Sequence, residues 1–163
     1  MSNKVRNITV VSDLCDGCNE CVRACEKVIS KVSNKVKKKI AAIKLIRNGS
    51  SYFPIICRNC EDAPCVTACI SGCRKREEGG WVTTNYERCV GCWMCVMNCP
   101  FGAIEMLMED HVAIKCDGCL DKEVAPCVAA CKTGVLSHMD INDYTAQTRK
   151  EAAERFLSGS AIR

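Results

Sequence analysis

The residues able to do chemistry here are thiols, and their spacing is regular. In CVGCWMCVMNCPFGAI, from Cys89 to Ile104, Cys89, Cys92 and Cys95 are separated by two-residue gaps, and Cys99 follows a three-residue gap with Pro100 directly behind it. Three thiolates crowded this way wrap three irons of a cubane 4Fe-4S cluster, and the fourth, one helical turn on, points toward a neighbouring cluster. A second cluster is therefore implied by this run alone. CDGCNECVRAC repeats the spacing with Cys15, Cys18, Cys21 and Cys25.

Two further runs stretch the pattern. In CRNCEDAPCVTAC (Cys57, Cys60, Cys65, Cys69) the middle gap grows to four residues, and in CDGCLDKEVAPCVAAC (Cys116, Cys119, Cys127, Cys131) it grows to seven. Both end in A-P-C-V-x-A-C, so the chain reads as an internal repeat of tight, stretched, tight and stretched motifs. Sixteen ligands are enough for four 4Fe-4S clusters. The seventeenth cysteine, Cys73, fits no motif and is expected to be a packed thiol.

Other thiol chemistries fit less well. Structural zinc takes four ligands, usually as two separated pairs and often with histidine, whereas His111 and His138 stand outside all four motifs. A Rieske centre needs two histidine ligands. The second residue inside C-x-x-C is Gly17, Gly91 or Gly118 in three motifs and Asn59 in the other. These residue types tolerate positive φ, which would turn loop amides toward inorganic sulfides. No nucleophile–base motif, phosphate loop or dinucleotide fingerprint appears.

A chain of 163 residues with 17 cysteines would suit a disulfide scaffold if it were exported. MSNKVRNITVV shows neither the apolar core of a signal peptide nor a twin-arginine pair, so a cytoplasmic metal-binding protein is expected, with no membrane span. The formal charge of +4 counts cysteines as neutral. Each oxidised cubane carries about +2 and its four thiolates −4, so four clusters bring the net to roughly −4. A nucleic-acid partner loses its basis.

The motifs need elements to position them. ITVV, residues 8–11, predicts a strand, and Val22, Val28, Ile29, Val32 and Val36 predict one face of a helix over 19–36. Lys27, Lys31, Lys35, Lys37, Lys38 and Lys39 would form its solvated side or a docking patch for an acidic partner. Asn48-Gly49 between β-prone runs predicts a hairpin over 40–56 that covers a cluster. Strands or hairpins are expected around Trp81 and around Glu109-Asp110, with a last strand from Val135 to Met139. A helix from Asn142 to Leu157 follows, whose Tyr144, Ala152, Phe156 and Leu157 would pack on the body or, as the alternative, on a partner. Trp93, Met94, Val96, Met97 and Ile104 would keep water from the clusters.

Four motifs can exchange their last cysteines pairwise along the chain or in a nested way, and spacing does not choose. From Cys57 to Leu136 the chain resembles the four-cluster electron-transfer subunits of the dimethyl sulfoxide reductase iron-sulfur type. Within that group it is most similar to the small cytosolic subunits serving carbon monoxide dehydrogenase, hydrogenase, formate dehydrogenase or tungsten aldehyde oxidoreductase.

The resemblance implies an α+β fold of two nested ferredoxin-like (βαβ)2 modules with short hairpins and a C-terminal helix. The inner module would be 57–115, the outer 1–56 with 116–139, and the tail 140–163. It implies nested ligand sets: Cys15, Cys18, Cys21 and Cys131; Cys25, Cys116, Cys119 and Cys127; Cys57, Cys60, Cys65 and Cys99; Cys69, Cys89, Cys92 and Cys95. It also implies a non-catalytic subunit that relays electrons between a molybdenum, tungsten or nickel enzyme and another partner, such as a flavin or hydrogenase subunit, with self-stacking as a further option. A free-standing polyferredoxin is the alternative. The chain departs from the pattern after Cys25, Cys69 and Cys131, where Glu26, Ile70 and Lys132 stand in place of proline.

Overall fold

The computed structural model describes residues 7–159, so the ends of the expected body and tail lie outside the described residues. The architecture is α+β, built from four two-stranded antiparallel ladders and five helices. β1 (Asn7–Val10) pairs with β8 (Leu136–Met139), running from Asn7 opposite Met139 to Val10 opposite Leu136. Val11 N–H donates to Val135 O at 2.9 Å, and the Thr9 and Ser137 hydroxyls meet at 2.7 Å. The first and last strands among the described residues are thus hydrogen-bonded together.

The first long helix, α1 (Glu20–Ile29), is shorter than the apolar spacing predicts. Its last turn closes as Ser30 N–H donates to Glu26 O and Val28 O, and the Ser33 hydroxyl then accepts from Lys35 N–H at 3.0 Å. A serine that offers its own side chain to the backbone competes with helix continuation. Val36 is still buried and Val32 half-buried, but from turns rather than from a helix face. The lysine run is divided by the same turns: Lys35 Nζ donates to Glu87 O at 2.6 Å and to Cys89 O at 3.2 Å. Lys35 therefore fixes the backbone that enters the third motif.

β2 (Lys44–Asn48) and β3 (Ser51–Ile55) form the hairpin, with Gly49 and Ser50 as the turn. The turn lies one residue beyond the Asn48-Gly49 expected, because Gly49 takes the left-handed φ of 59° at the first turn position and Asn48 stays in the ladder. β4 (Arg74–Arg76) pairs with β5 (Val82–Thr84), and β6 (Ile104–Leu107) with β7 (Val112–Lys115). β7 is buried at all four positions, so it reads as a continuous apolar run ended by Lys115. Single-turn helices α2 (Pro64–Thr67), α3 (Met94–Met97) and α4 (Pro126–Ala129) each carry the third cysteine of a motif.

α5 (Ile141–Leu157) is capped by Asp140, whose carboxylate accepts from Asn142 N–H at 2.9 Å. It buries no residue. Tyr144 reaches a cavity wall beside β1, but Ala152, Phe156 and Leu157 are exposed, so the expected packing of this face on the body is corrected. The polar residues around most of the helix leave no apolar stripe to bury. No helix among the described residues is long and apolar enough to cross a membrane.

Candidate metal centre: four groups of thiols

All 17 cysteines are free thiols. Cys15, Cys18, Cys21 and Cys131 line one cavity, closed by Leu45 and Pro54 of the β2–β3 hairpin and by Val135 and Leu136. The expected cover is therefore present at this group. Cys57, Cys60, Cys65 and Cys99 line a second cavity with Val82, Ala103, Ile104 and Lys115. Both sets combine three cysteines of one motif with the last cysteine of another.

The other two groups are defined by mutual influence and packing. Cys119 and Cys127 are both pushed up to about 12, chiefly by burial, and the Cys25 thiol acts on both. Cys116, fully buried and raised well above an ordinary thiol, also feels Cys127. α1, which carries Cys25, packs on α4, which carries Cys127. In the last group, Cys69 Sγ lies 3.4 Å from Cys73 Sγ, Cys73 in turn feels Cys89, and α2 packs on α3, which carries Cys95.

Thiols of different sets also feel one another's charge. Cys21 of the first group acts on Cys127 of the second, Cys57 of the third acts on Cys116 of the second, and Cys95 of the fourth acts on Cys65 of the third.

Backbone amides aim at sulfur throughout. Ala42 N–H donates to Cys25 Sγ at 3.3 Å, and Ala103 and Leu136 N–H donate to Cys99 and Cys131 Sγ at 3.4 Å each. Arg74 N–H does the same for Cys69. The last cysteine of every motif therefore accepts an amide from the chain leading to the next element. Within the loops, Asn59 N–H donates to Cys57 Sγ and Gly118 N–H to Cys116 Sγ, both at 3.4 Å. Such bonds favour thiolate over thiol.

The loop geometry needs left-handed residues, and it has them: φ is 78° at Gly17, 49° at Asn59, 65° at Gly91 and 79° at Gly118. A second cause operates at Gly118, where an added Cβ would lie 2.7 Å from the Trp81 ring. Asparagine serves in the second motif because its amide clamps the β4–β5 hairpin. Asn59 Oδ1 accepts from Val82 N–H, and its Nδ2 donates to Gly80 O, both at 3.0 Å.

Cys73 is buried, as a packed thiol should be, yet its Sγ lies 3.4 Å from Cys69 Sγ. Burial raises Cys73. Burial also opposes ionisation of Cys69, but hydrogen bonds from Ser71, from the Arg74 amide and from Cys73 outweigh it and bring that thiol down to about 7. Of the expected shielding residues, Ile104 is buried and lines the second cavity, and Trp93 is half-buried as the left-handed N-cap of α3. Met97 is 70% exposed and shields nothing.

Two residues escaped the sequence reading. Arg74 and Lys115 are buried cations at the inner thiols, 3% and 1% exposed. Arg74 Nη2 donates to Cys95 Sγ at 3.3 Å, and Lys115 lines the Cys57 cavity. The only signal was position: Arg74 directly follows Cys73, and Lys115 ends an apolar strand directly before Cys116.

Thiols set around cavity walls are the donor arrangement that a 4Fe-4S cluster takes, and amides aimed at the sulfurs suit its charge. Among the described residues, no three His, Cys, Asp or Glu side chains gather as ligands of a single ion do. Fold and donors together define an iron–sulfur electron-transfer protein.

Comparison with known proteins gives the family. Residues 48–141 match the family described as 4Fe-4S dicluster domain, and the chain belongs to it. It is 34% identical over 152 residues to an uncharacterized ferredoxin of Methanocaldococcus jannaschii, covering 93% of this chain and 83% of that protein. It is 36% identical to the thiosulfate reductase electron transfer subunit PhsB of Salmonella typhi, covering 90% and 84%. It is 32% identical to the electron transport protein HydN of Escherichia coli, covering 93% and 99%. Its relatives are ferredoxins and electron-transfer subunits, and the chain is a non-catalytic carrier of that kind.

Proposed function

We propose that the chain is the electron-transfer subunit of an oxidoreductase and relays single electrons along four 4Fe-4S clusters. The ligand sets are Cys15, Cys18, Cys21 and Cys131; Cys25, Cys116, Cys119 and Cys127; Cys57, Cys60, Cys65 and Cys99; Cys69, Cys89, Cys92 and Cys95. The observation that carries this reading is a pair of cavities, each lined by three thiols of one motif and the last thiol of another, and the mutual influence of thiols across the four sets supports it. When bound, each cluster supplies a one-electron redox site. The chain's own work is to hold thiolates, aim amides at them, exclude water with residues such as Leu45, Pro54 and Ile104, and keep neighbouring sites adjacent.

The outer module, 1–56 with 116–139, encloses the inner one at 57–115, with the tail following from residue 140; the β1–β8 ladder supports this division. Seventeen free thiols suit a reducing, cytoplasmic setting. The partner is a catalytic redox subunit of the molybdenum, tungsten or nickel type, as the resemblance to subunits serving carbon monoxide dehydrogenase, formate dehydrogenase, aldehyde oxidoreductase or hydrogenase implies. A thiosulfate reductase electron transfer subunit among the relatives supports a subunit role. The relative named simply as a ferredoxin supports the second reading, a free-standing carrier.

Anaerobic coulometric titration of the purified protein tests the proposal. Uptake of about four electrons per chain is expected, one for each cluster. Uptake of two or fewer would overturn it. Co-migration with a catalytic subunit in anaerobic gel filtration of native extract decides for the subunit reading over the free carrier.

A further inference from the structure

Arg74 and Lys115 are buried without an anionic partner of the ordinary kind. Arg74 donates from Nη1 to Thr84 Oγ1 at 2.9 Å and from Nη2 to Ala113 O at 3.1 Å and Cys95 Sγ at 3.3 Å. Lys115 Nζ donates to Val82 O at 2.7 Å and to Cys116 O. The ion pairs among the described residues include neither. A buried cation facing only hydroxyl, carbonyl and sulfur is strongly disfavoured unless negative charge lies close by. The groups in that position are thiolates: Arg74 faces Cys95 and Cys65, and Lys115 faces Cys60 and Cys65.

The outer groups have the opposite surroundings. Asp117 acts on Cys25 and Cys119, and Asp121 acts on Cys119. At the first group, the neighbouring charges of Asp16, Glu20 and Arg23 are in contact with water, where their effect is screened. The carboxylates Asp117 and Asp121 thus stand at the second set, where Lys115 and Lys122 also act on Cys116 and Cys119, whereas Arg74 and Lys115 are the buried charges at the third and fourth sets.

A reduced cluster carries one more negative charge than an oxidised one, so a buried cation stabilises the reduced form. We propose that Arg74 and Lys115 set potentials. Their charges hold the clusters at Cys69/Cys89/Cys92/Cys95 and at Cys57/Cys60/Cys65/Cys99 above the outer two, so that electrons run downhill from the outer pair to the inner pair. This rests on the four-cluster reading, and its test separates the two. Both residues are positioning residues, acting through charge.

The test is an anaerobic redox titration of the intact protein, followed by electron paramagnetic resonance, with iron assayed in every sample. The variants are Arg74→Gln, Arg74→Lys, Lys115→Met and Lys115→Arg. In each neutral variant the largest shift, at the Cys69/Cys89/Cys92/Cys95 cluster for Arg74→Gln and at the Cys57/Cys60/Cys65/Cys99 cluster for Lys115→Met, should be a reduced-to-oxidised ratio at least tenfold lower at fixed potential, about 59 mV for a one-electron couple. The charge-conserving variants should stay within about threefold of wild type. Fully loaded neutral variants with unchanged potentials overturn the inference, as does a shift in Arg74→Lys equal to that in Arg74→Gln. If one neutral variant loads less iron, the other residue's pair decides. If both fail to load while both charge-conserving variants load, a role in setting potential is overturned. Wild-type protein lacking iron overturns the four-cluster reading instead.

Discussion

Gly118→Ala isolates the packing that holds the fourth ligand loop. Gly118 has φ of 79°, and an alanine Cβ there would lie 2.7 Å from two atoms of the Trp81 ring and 2.9 Å from a third. Trp81 is 4% exposed, so its ring has little room to retreat. Left-handed strain for a non-glycine residue costs about 1–2 kcal/mol, and overpacking a filled site adds about 1–3 kcal/mol. The sum is about 2–5 kcal/mol. Gly17→Ala meets a ring at 2.6 Å, but Tyr52 is only half-buried and can turn outward. Gly49→Ala meets nothing within 4 Å and retains the strain alone. With a urea slope of about 2 kcal/mol per molar, Gly118→Ala should lower the midpoint for loss of cluster absorbance by about 1–2.5 M. Anaerobic urea titration of all three variants should rank the losses Gly118, then Gly17, then Gly49. A Gly118→Ala midpoint within about 0.3 M of Gly49→Ala, using the same slope, would refute the reasoning.

Three other outcomes are expected. Cys73→Ala removes a packed thiol outside the ligand sets and should keep roughly 16 iron per chain at a cost of about 1 kcal/mol, whereas Cys69→Ala should lower the iron content; iron assay of the two variants checks this. In the apo chain, Cys119 and Cys127 are raised to about 12 from an ordinary value of about 8.5, so their contribution to stability is complete below the lower value and is lost as pH climbs toward the higher. Thermal melts of reduced apo protein should therefore fall steadily from about pH 9 to 11, and less steeply in Cys127→Ala. Removing residues 146–163 deletes only exposed parts of α5 among the described residues, and should leave iron content and the urea midpoint unchanged; assays of the truncated chain decide it.

What could be read in advance depended on how local the cause was. Left-handed Gly17, Asn59, Gly91 and Gly118 follow from loop chemistry within each motif, and the α5 boundaries follow from Asp140 as cap and Gly159 beyond the end. The early end of α1 was hidden because Val32 and Val36 keep helical spacing while being buried from turns. Ser33 and Lys35, which decide the matter, act through partners more than fifty residues away, Glu87 and Cys89. The exposed face of α5 is not legible in the sequence, because scattered apolar residues do not reveal whether anything lies opposite them. Arg74 and Lys115 were passed over for a related reason: a cation looks solvated in sequence until the strands on both sides of it are known to be buried.

The central claim is that sixteen thiolates hold four iron cubes, and Mössbauer spectroscopy of anaerobically isolated, iron-57-enriched protein measures it most directly. Roughly 16 iron per chain, all with the signature of 4Fe-4S cubes, is the predicted result. Colourless protein, or protein with about 8 iron per chain or fewer after full reconstitution, would contradict it.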